Sequence, residues 1–285
     1  MTWLYLALLS GFFSATADAL AKSLSRDAGG RLLAWMCFCG ASPWLLLLWL
    51  FTDPGAPADN SFWLALAITL PLEFACFNHA LTLDDLSLVV PLLALTPLFL
   101  LIIPKLVLGE TVSEIGAAGI LCVVIGAYLL NVTRLPLNMV APLQAIWRSR
   151  GARFAIAAAM LYAITSTFGK MMVEHSSPLF VAAIYYPIVS VATAPLVLWR
   201  EPQVFVKFQQ RWLRFLLLGM VVGLTILFHF FAIADAPVAY MIAVKRSSMI
   251  FAILYGWRLY REGNLRYRIA AGLIMLAGIF LIANG

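Results

Sequence analysis

Three residues stand where charge is costly and chemistry is therefore worth seeking. Lys245 and Arg246 are adjacent, about nine residues into an apolar run over 237–258, and Glu73 lies about eleven residues into another over 62–81. Both places fall near mid-depth if the runs cross a bilayer, and an ionisable group there faces a cavity or a partner. Arginine offers a planar fork for carboxylate or phosphate, and lysine a point charge beside it. Two readings compete. In one, Glu73 neutralises Lys245 or Arg246 as a structural pair and nothing binds. In the other, two cations against one carboxylate leave at least one cation for an anionic substrate. Glu73 is also the candidate for proton coupling, because a desolvated carboxyl holds its proton more tightly.

Other residues at similar depth shape the expectation. Asn78 and Tyr185 are candidates for the pocket wall; Tyr162, Tyr186, Tyr240 and Trp35 share their depth but are more often packing or interface residues. Adjacent helical positions diverge by about 100°, so Lys245 and Arg246 reach one cavity only if it is wide or the helix is distorted. Asp18, His79, His229 and Lys170 fall nearer the ends of apolar runs, where the two histidines read as hydrogen-bonded helix-end residues rather than ligands. The three histidines are scattered, and no HExxH or paired-aspartate motif accompanies them, so neither a metal, a cofactor nor an intramembrane enzyme is expected. Cys37 and Cys39, two apart on one run, point away from each other and suit neither a shared metal nor a disulfide.

The elements that hold these residues follow from composition. Of 285 residues, 64% are hydrophobic and 11% charged, with a mean hydropathy of +0.97. Soluble domains are about 25% charged, so a soluble enzyme or a nucleic-acid-binding protein is excluded as the first reading. A helix needs about 20 apolar residues to cross the bilayer core. Ten such runs are present: 3–24, 31–51, 62–81, 86–107, 112–131, 152–173, 178–199, 212–233, 237–258 and 267–283. The fold class is all-α integral membrane protein. Pro91, Pro97 and Pro104 interrupt the fourth run, and interrupted helices often line transport cavities.

The chain also repeats itself. Ala15 and Lys22 recur as Ala163 and Lys170, 148 residues on; His79 and Asp85 recur as His229 and Asp235 at 150; Glu110 and Gly126 recur as Glu262 and Gly278 at 152. Each half holds five spans, and five is odd, so the second copy inserts upside down: two inverted five-helix repeats, 1–131 and 152–285, joined by a cytoplasmic linker over 132–151. The partners of Lys245 and Arg246 in the first repeat are Leu95 and Thr96, and that of Glu73 in the second is Gly223. The halves differ most where charge enters the core.

Fifteen of the nineteen basic residues sort to one side of the ten spans, with Lys105 and Lys170 opposite. The positive-inside rule makes that side cytoplasmic and places both termini on the non-cytoplasmic side of a cell inner membrane. Gly116, Gly119 and Gly126 on the fifth span, with Gly272 and Gly278 on the tenth, allow close helix approach, either internally or at a dimer face, so monomer and homodimer both stay open.

The duplicated five-span unit, with Pro97-Leu98-Phe99, Leu108-Gly109-Glu110-Thr111-Val112-Ser113, Gly119 and Gly126, resembles the drug/metabolite transporter superfamily in its ten-helix EamA-type form. The second copy, Tyr260-Arg261-Glu262 with Gly272 and Gly278, is similar but lacks the glycine before the glutamate. The resemblance implies a secondary active transporter with no nucleotide site. Lys245-Arg246 further resembles the Lys-Arg pair in the ninth helix of plastid phosphate translocators, where the pair holds the substrate phosphate. Those proteins add a cation from the fourth helix, whereas Leu95 and Thr96 are neutral. The expected function is alternating-access transport of a small organic metabolite, anionic (phosphorylated or carboxylated) or zwitterionic, with H+ as a possible coupling ion. The alternatives are an exporter of amino acids and related metabolites, a flippase for a phosphorylated lipid, or a channel.

Overall fold

In lipid every backbone N–H and C=O must find its partner inside the protein, and a helix satisfies both within one segment. The computed structural model describes residues 1–24, 30–52, 55–80, 92–132, 150–200, 203–260 and 265–285, without the side chains of 73–80 and of several helix ends. Every regular element among them is an α-helix: α1 (Thr2–Leu24), α2 (Gly30–Thr52), α3 (Asn60–Ala80), α4 (Thr96–Phe99), α5 (Ile103–Val107), α6 (Glu114–Val132), α7 (Arg150–Glu174), α8 (Pro178–Arg200), α9 (Val204–Ala234), α10 (Val238–Lys245), α11 (Ser248–Tyr260) and α12 (Leu265–Asn284). Among the described residues eight stretches are long and apolar enough to span a membrane, one of them running through α10 and α11; the apolar stretches Asn60–Leu72 of α3 and Thr96–Val107 of the broken α4–α5 stand in the third and fourth places. That gives ten spans. Large apolar side chains such as Leu50, Phe51, Trp199 and Phe280 face outward, a surface suited to lipid rather than water. Several hydroxyls inside the spans fold back on their own helices, as Thr167 donates to Ala163 O (2.8 Å) and Thr193 to Val189 O (2.7 Å), while Ser10 of α1 donates across to Thr225 O of α9 (2.9 Å).

Two spans are broken, for different reasons. In the fourth, Pro97 and Pro104 each stand in the first turn of a short helix, because proline has no N–H to give to a preceding turn. The ninth has neither proline nor glycine at its break, and its ladder tightens instead: Ser247 N donates to Val244 O (2.9 Å) and Met249 N to Arg246 O (2.9 Å), three residues back rather than four. The break nests on Gly11 of α1. A Cβ there would stand 2.6 Å from Ser247 Oγ and 3.0 Å from the Lys245 carbonyl. The eighth span starts earlier than its apolar run: α9 begins at Val204 and kinks at Arg211 (φ −135°, ψ 24°), so 212–233 is the part beyond the kink.

Most of the packing is between halves and carries a two-fold pattern. α6 lies along α12, and α2 along α8. α1 packs on α9, as α7 packs on α3; α1 meets α10 and α11, as α7 meets α4 and α5. This is the arrangement of two inverted five-helix repeats. The α6–α12 seam is backbone against backbone: a Cβ on Gly119 would lie 2.7 Å from Gly278 O, and one on Gly278 2.6 Å from Gly119 O. These glycines therefore serve internal packing, not a dimer face.

One end of the bundle is tied across the halves. Four connections, α2–α3, α5–α6, α7–α8 and α9–α10, share that side, since two spans separate each from the next. Gly109 (φ 71°) turns the chain after α5 and directs Glu110 inward. Glu110 pairs with Lys170 (2.6 Å) and accepts from Val238 N (2.9 Å), while Lys170 also donates to Ala236 O (2.8 Å). Tyr240 OH accepts from Ser113 N (3.0 Å). On the same side Ala58 N donates to His175 O (2.7 Å), and Asp59 lies 3.0 Å from the His175 ring. The Ser61 backbone N–H, followed by the Ser61 hydroxyl and His175, holds the Asp59 carboxyl below the usual carboxylate range.

Candidate functional site

A cavity of about 500 Å³ lies among α1, α2, the fourth-span break, α7, α8, α9 and the ninth-span break. The break places Lys245 at the end of α10 and Arg246 in the turn after it, and both line this cavity. The helix is locally broken at these residues, and both reach the one cavity. The two heads go to different walls. Lys245 Nζ lies 3.1 Å from His229 Nδ1 on α9, and Arg246 Nη2 donates to the Leu93 carbonyl (3.2 Å) at the broken start of the fourth span. One cation is thus held within the second repeat and the other reaches across to the first.

The rest of the wall mixes aromatic and hydroxyl groups: Phe38, Tyr162 and Tyr186, with Ser14, Thr96, Thr165, Ser166 and Ser248. Among the described residues neither cation has a carboxylate within 4.0 Å; the ion pairs found are those of Lys170 and of His175. Asp18 on α1 is the acidic group that acts on Lys245, by longer-range attraction. It lines a second, smaller cavity of about 160 Å³ with Asn131 and Arg268, and Ser248 forms part of both walls.

The structure thus brings Lys245 and Arg246 together. Glu73 and Asn78 lie on α3, and their side chains are outside the described residues, as is His79. Tyr185 is not on the cavity wall. It is 6% exposed in the main core, edge-on to Tyr186, which takes the wall position one residue and about 100° away. Tyr240 serves the tied end, and Trp35 is a core residue whose indole donates to Ser190 O (2.9 Å).

Two contributors were not singled out for the cavity by the sequence. His229 does hydrogen-bond, but to Lys245 inside the cavity, five residues before the end of α9. Its signal was the pattern itself: an imidazole in an apolar run at a depth comparable to a lysine in the next one. Gly11 gave none, because what it accommodates is the backbone of a helix some 235 residues later.

The EamA-like transporter family matches this chain over residues 1–132 and 149–284. No curated protein matches it. A solved structure, titled only as the crystal structure of a protein, shares 16% sequence identity with it at a TM-score of 0.75, covering 97% of this chain and 98% of its own. That likeness is one of fold.

Proposed function

This chain belongs to the EamA-like transporter family, and from that premise we propose that it carries a small organic anion, or a zwitterion presenting an anionic group, by alternating access. The observation that carries the reading is the pair of neighbouring cations lining one intramembrane cavity and held by different partners, with no described carboxylate within ion-pair distance. A cavity of about 500 Å³ is in the range that holds a metabolite, which a bare ion would not need. Arg246 spends one donor on Leu93 O, and a guanidinium has five, so a phosphate or carboxylate can be held by the fork that remains. The hydroxyl and aromatic wall suits the uncharged part of such a molecule.

The two repeats, 1–131 and 152–285, are the moving bodies of this proposal, and 132–151 links them on the cytoplasmic side. The fifteen clustered basic residues assign that side, which puts the tied end and both termini outside the cytoplasm of an inner membrane. Glu73 keeps its place as a possible partner of the site on sequence grounds.

A thermal-stability screen of the purified protein against phosphorylated metabolites, carboxylates and amino acids tests the reading. A ligand at a hundred times its Kd stabilises the folded state by about 2.7 kcal/mol, a readily measured shift. The shift is expected to vanish in Arg246→Ala and to weaken in Lys245→Ala. Wild-type protein indifferent to every anion, or variants that transport at the full rate, would sink it.

A further inference from the structure

The cavity holds a titratable contact that its cations alone do not explain. Lys245 Nζ stands 3.1 Å from His229 Nδ1. A protonated amine can only donate, so Nδ1 is the acceptor and the neutral ring carries its proton on Nε2. A second ring proton would have to sit on Nδ1, the atom already turned to the ammonium. While Lys245 points at His229, that proton is excluded by geometry as well as by charge.

We propose that His229 is the proton-coupling residue of this cavity: it takes one proton from solvent onto Nδ1 when an anion draws Lys245 away, and returns it when the anion leaves. The inference rests on the anion reading above. An anion gives the lysine a better partner than an imidazole. Lys245 keeps its three protons and turns; Nδ1 is released, gains its N–H, and faces the anion as a further donor. Charge balance favours the same order. The empty cavity holds two cations, and a monoanion with one added proton restores that charge. Proton and anion therefore enter and leave together.

The groups around His229 are consistent with this. From α10 it meets Lys245; Arg246 from the break, Tyr162 from α7 and Tyr186 from α8 line the same cavity. The α1 contribution is Asp18, which lines the smaller cavity and attracts Lys245 at longer range. Of α2, Phe38 is on the wall, and the titratable groups flanking it in the chain are the thiols of Cys37 and Cys39. Nothing described on these elements offers the ring a carboxylate within 4.0 Å.

The test uses full-length protein in lipid nanodiscs, labelled with 15N-histidine. The chain has three histidines, and His229→Gln assigns the resonance. Inorganic phosphate is the probe, at about 100 mM, far above millimolar affinity; its binding is followed by 31P line broadening, with Arg246→Ala as the control for the site. Between about pH 5 and 8 the ring is expected to stay neutral with a bare Nδ1 in matched sodium chloride, and to become doubly protonated with phosphate. In Lys245→Met the ring should titrate without phosphate, since the blocking donor is gone. Phosphate bound through Arg246 beside a ring that remains neutral would overturn the coupling and leave the anion reading standing. No Arg246-dependent binding would overturn both.

Discussion

Lys170 is the buried charge whose removal has the most calculable effect. Its side chain is 9% exposed and that of Glu110 14%, with 2.6 Å between them. In Lys170→Met the stem is replaced and the charge is lost. Glu110 keeps the Val238 N–H and little else, so a carboxylate is left uncompensated in a dry place. Breaking a buried pair from one side costs about 3–5 kcal/mol. Glu110→Gln keeps one acceptor of the two: Val238 N and Lys170 address different carboxylate oxygens, so one of these donors would face the amide NH2, and the loss is about 1–3 kcal/mol. The double variant Lys170→Met/Glu110→Leu removes both charges and leaves apolar volume, and should return to within about 1 kcal/mol of wild type. Thermal unfolding in detergent reads all three. At roughly 2–4 °C per kcal/mol, Lys170→Met should fall by about 10 °C and the double variant should recover most of it. If Lys170→Met and Glu110→Leu each cost under about 0.5 kcal/mol and simply add, the pair is effectively solvated and the reasoning fails.

Further outcomes follow from the same geometry. Gly278→Leu should prevent assembly, because its Cβ would meet backbone at Gly119, whereas Gly272→Ala, with 3.8 Å to the end of Ile253, should be nearly silent; size-exclusion profiles separate the two. Gly11→Val should abolish ligand-dependent stabilisation before it abolishes folding, since it displaces the break that aims Lys245 and Arg246, and Gly223→Ala serves as the tolerated control. Asp59 is held below the ordinary carboxylate range, so its contribution is present above that range and is lost as pH falls through its own lowered value. Asp59→Asn should therefore lower stability slightly at neutral pH and flatten the acid limb of the stability profile below about pH 5.

The sequence made the skeleton legible because membranes leave few choices. Ten apolar runs became ten spans, and the glycines of the fifth and tenth runs met each other. A deep Lys-Arg pair signalled a cavity because charge has so few reasons to be there. What stayed hidden was side-chain phase and long-range partnership. Tyr185 and Tyr186 are both aromatic at the same depth, and nothing in a hydrophobic run says which of two neighbours faces inward. His229 resembled a helix-end histidine because its partner is on another helix. Lys170 was read only as a charge near the end of an apolar run, yet its match to Lys22 and that of Glu110 to Glu262 had already marked both positions as recurring.

The α6–α12 seam has a consequence for synthesis. A ribosome delivers the fifth span long before the tenth, yet the fifth has no side chains at Gly119 and Gly126 with which to close its own face. Until α12 emerges, that glycine-lined trough must be screened by lipid or by an insertion factor. The first repeat therefore cannot mature in the order in which it is made, and must wait in the membrane for a helix of the second.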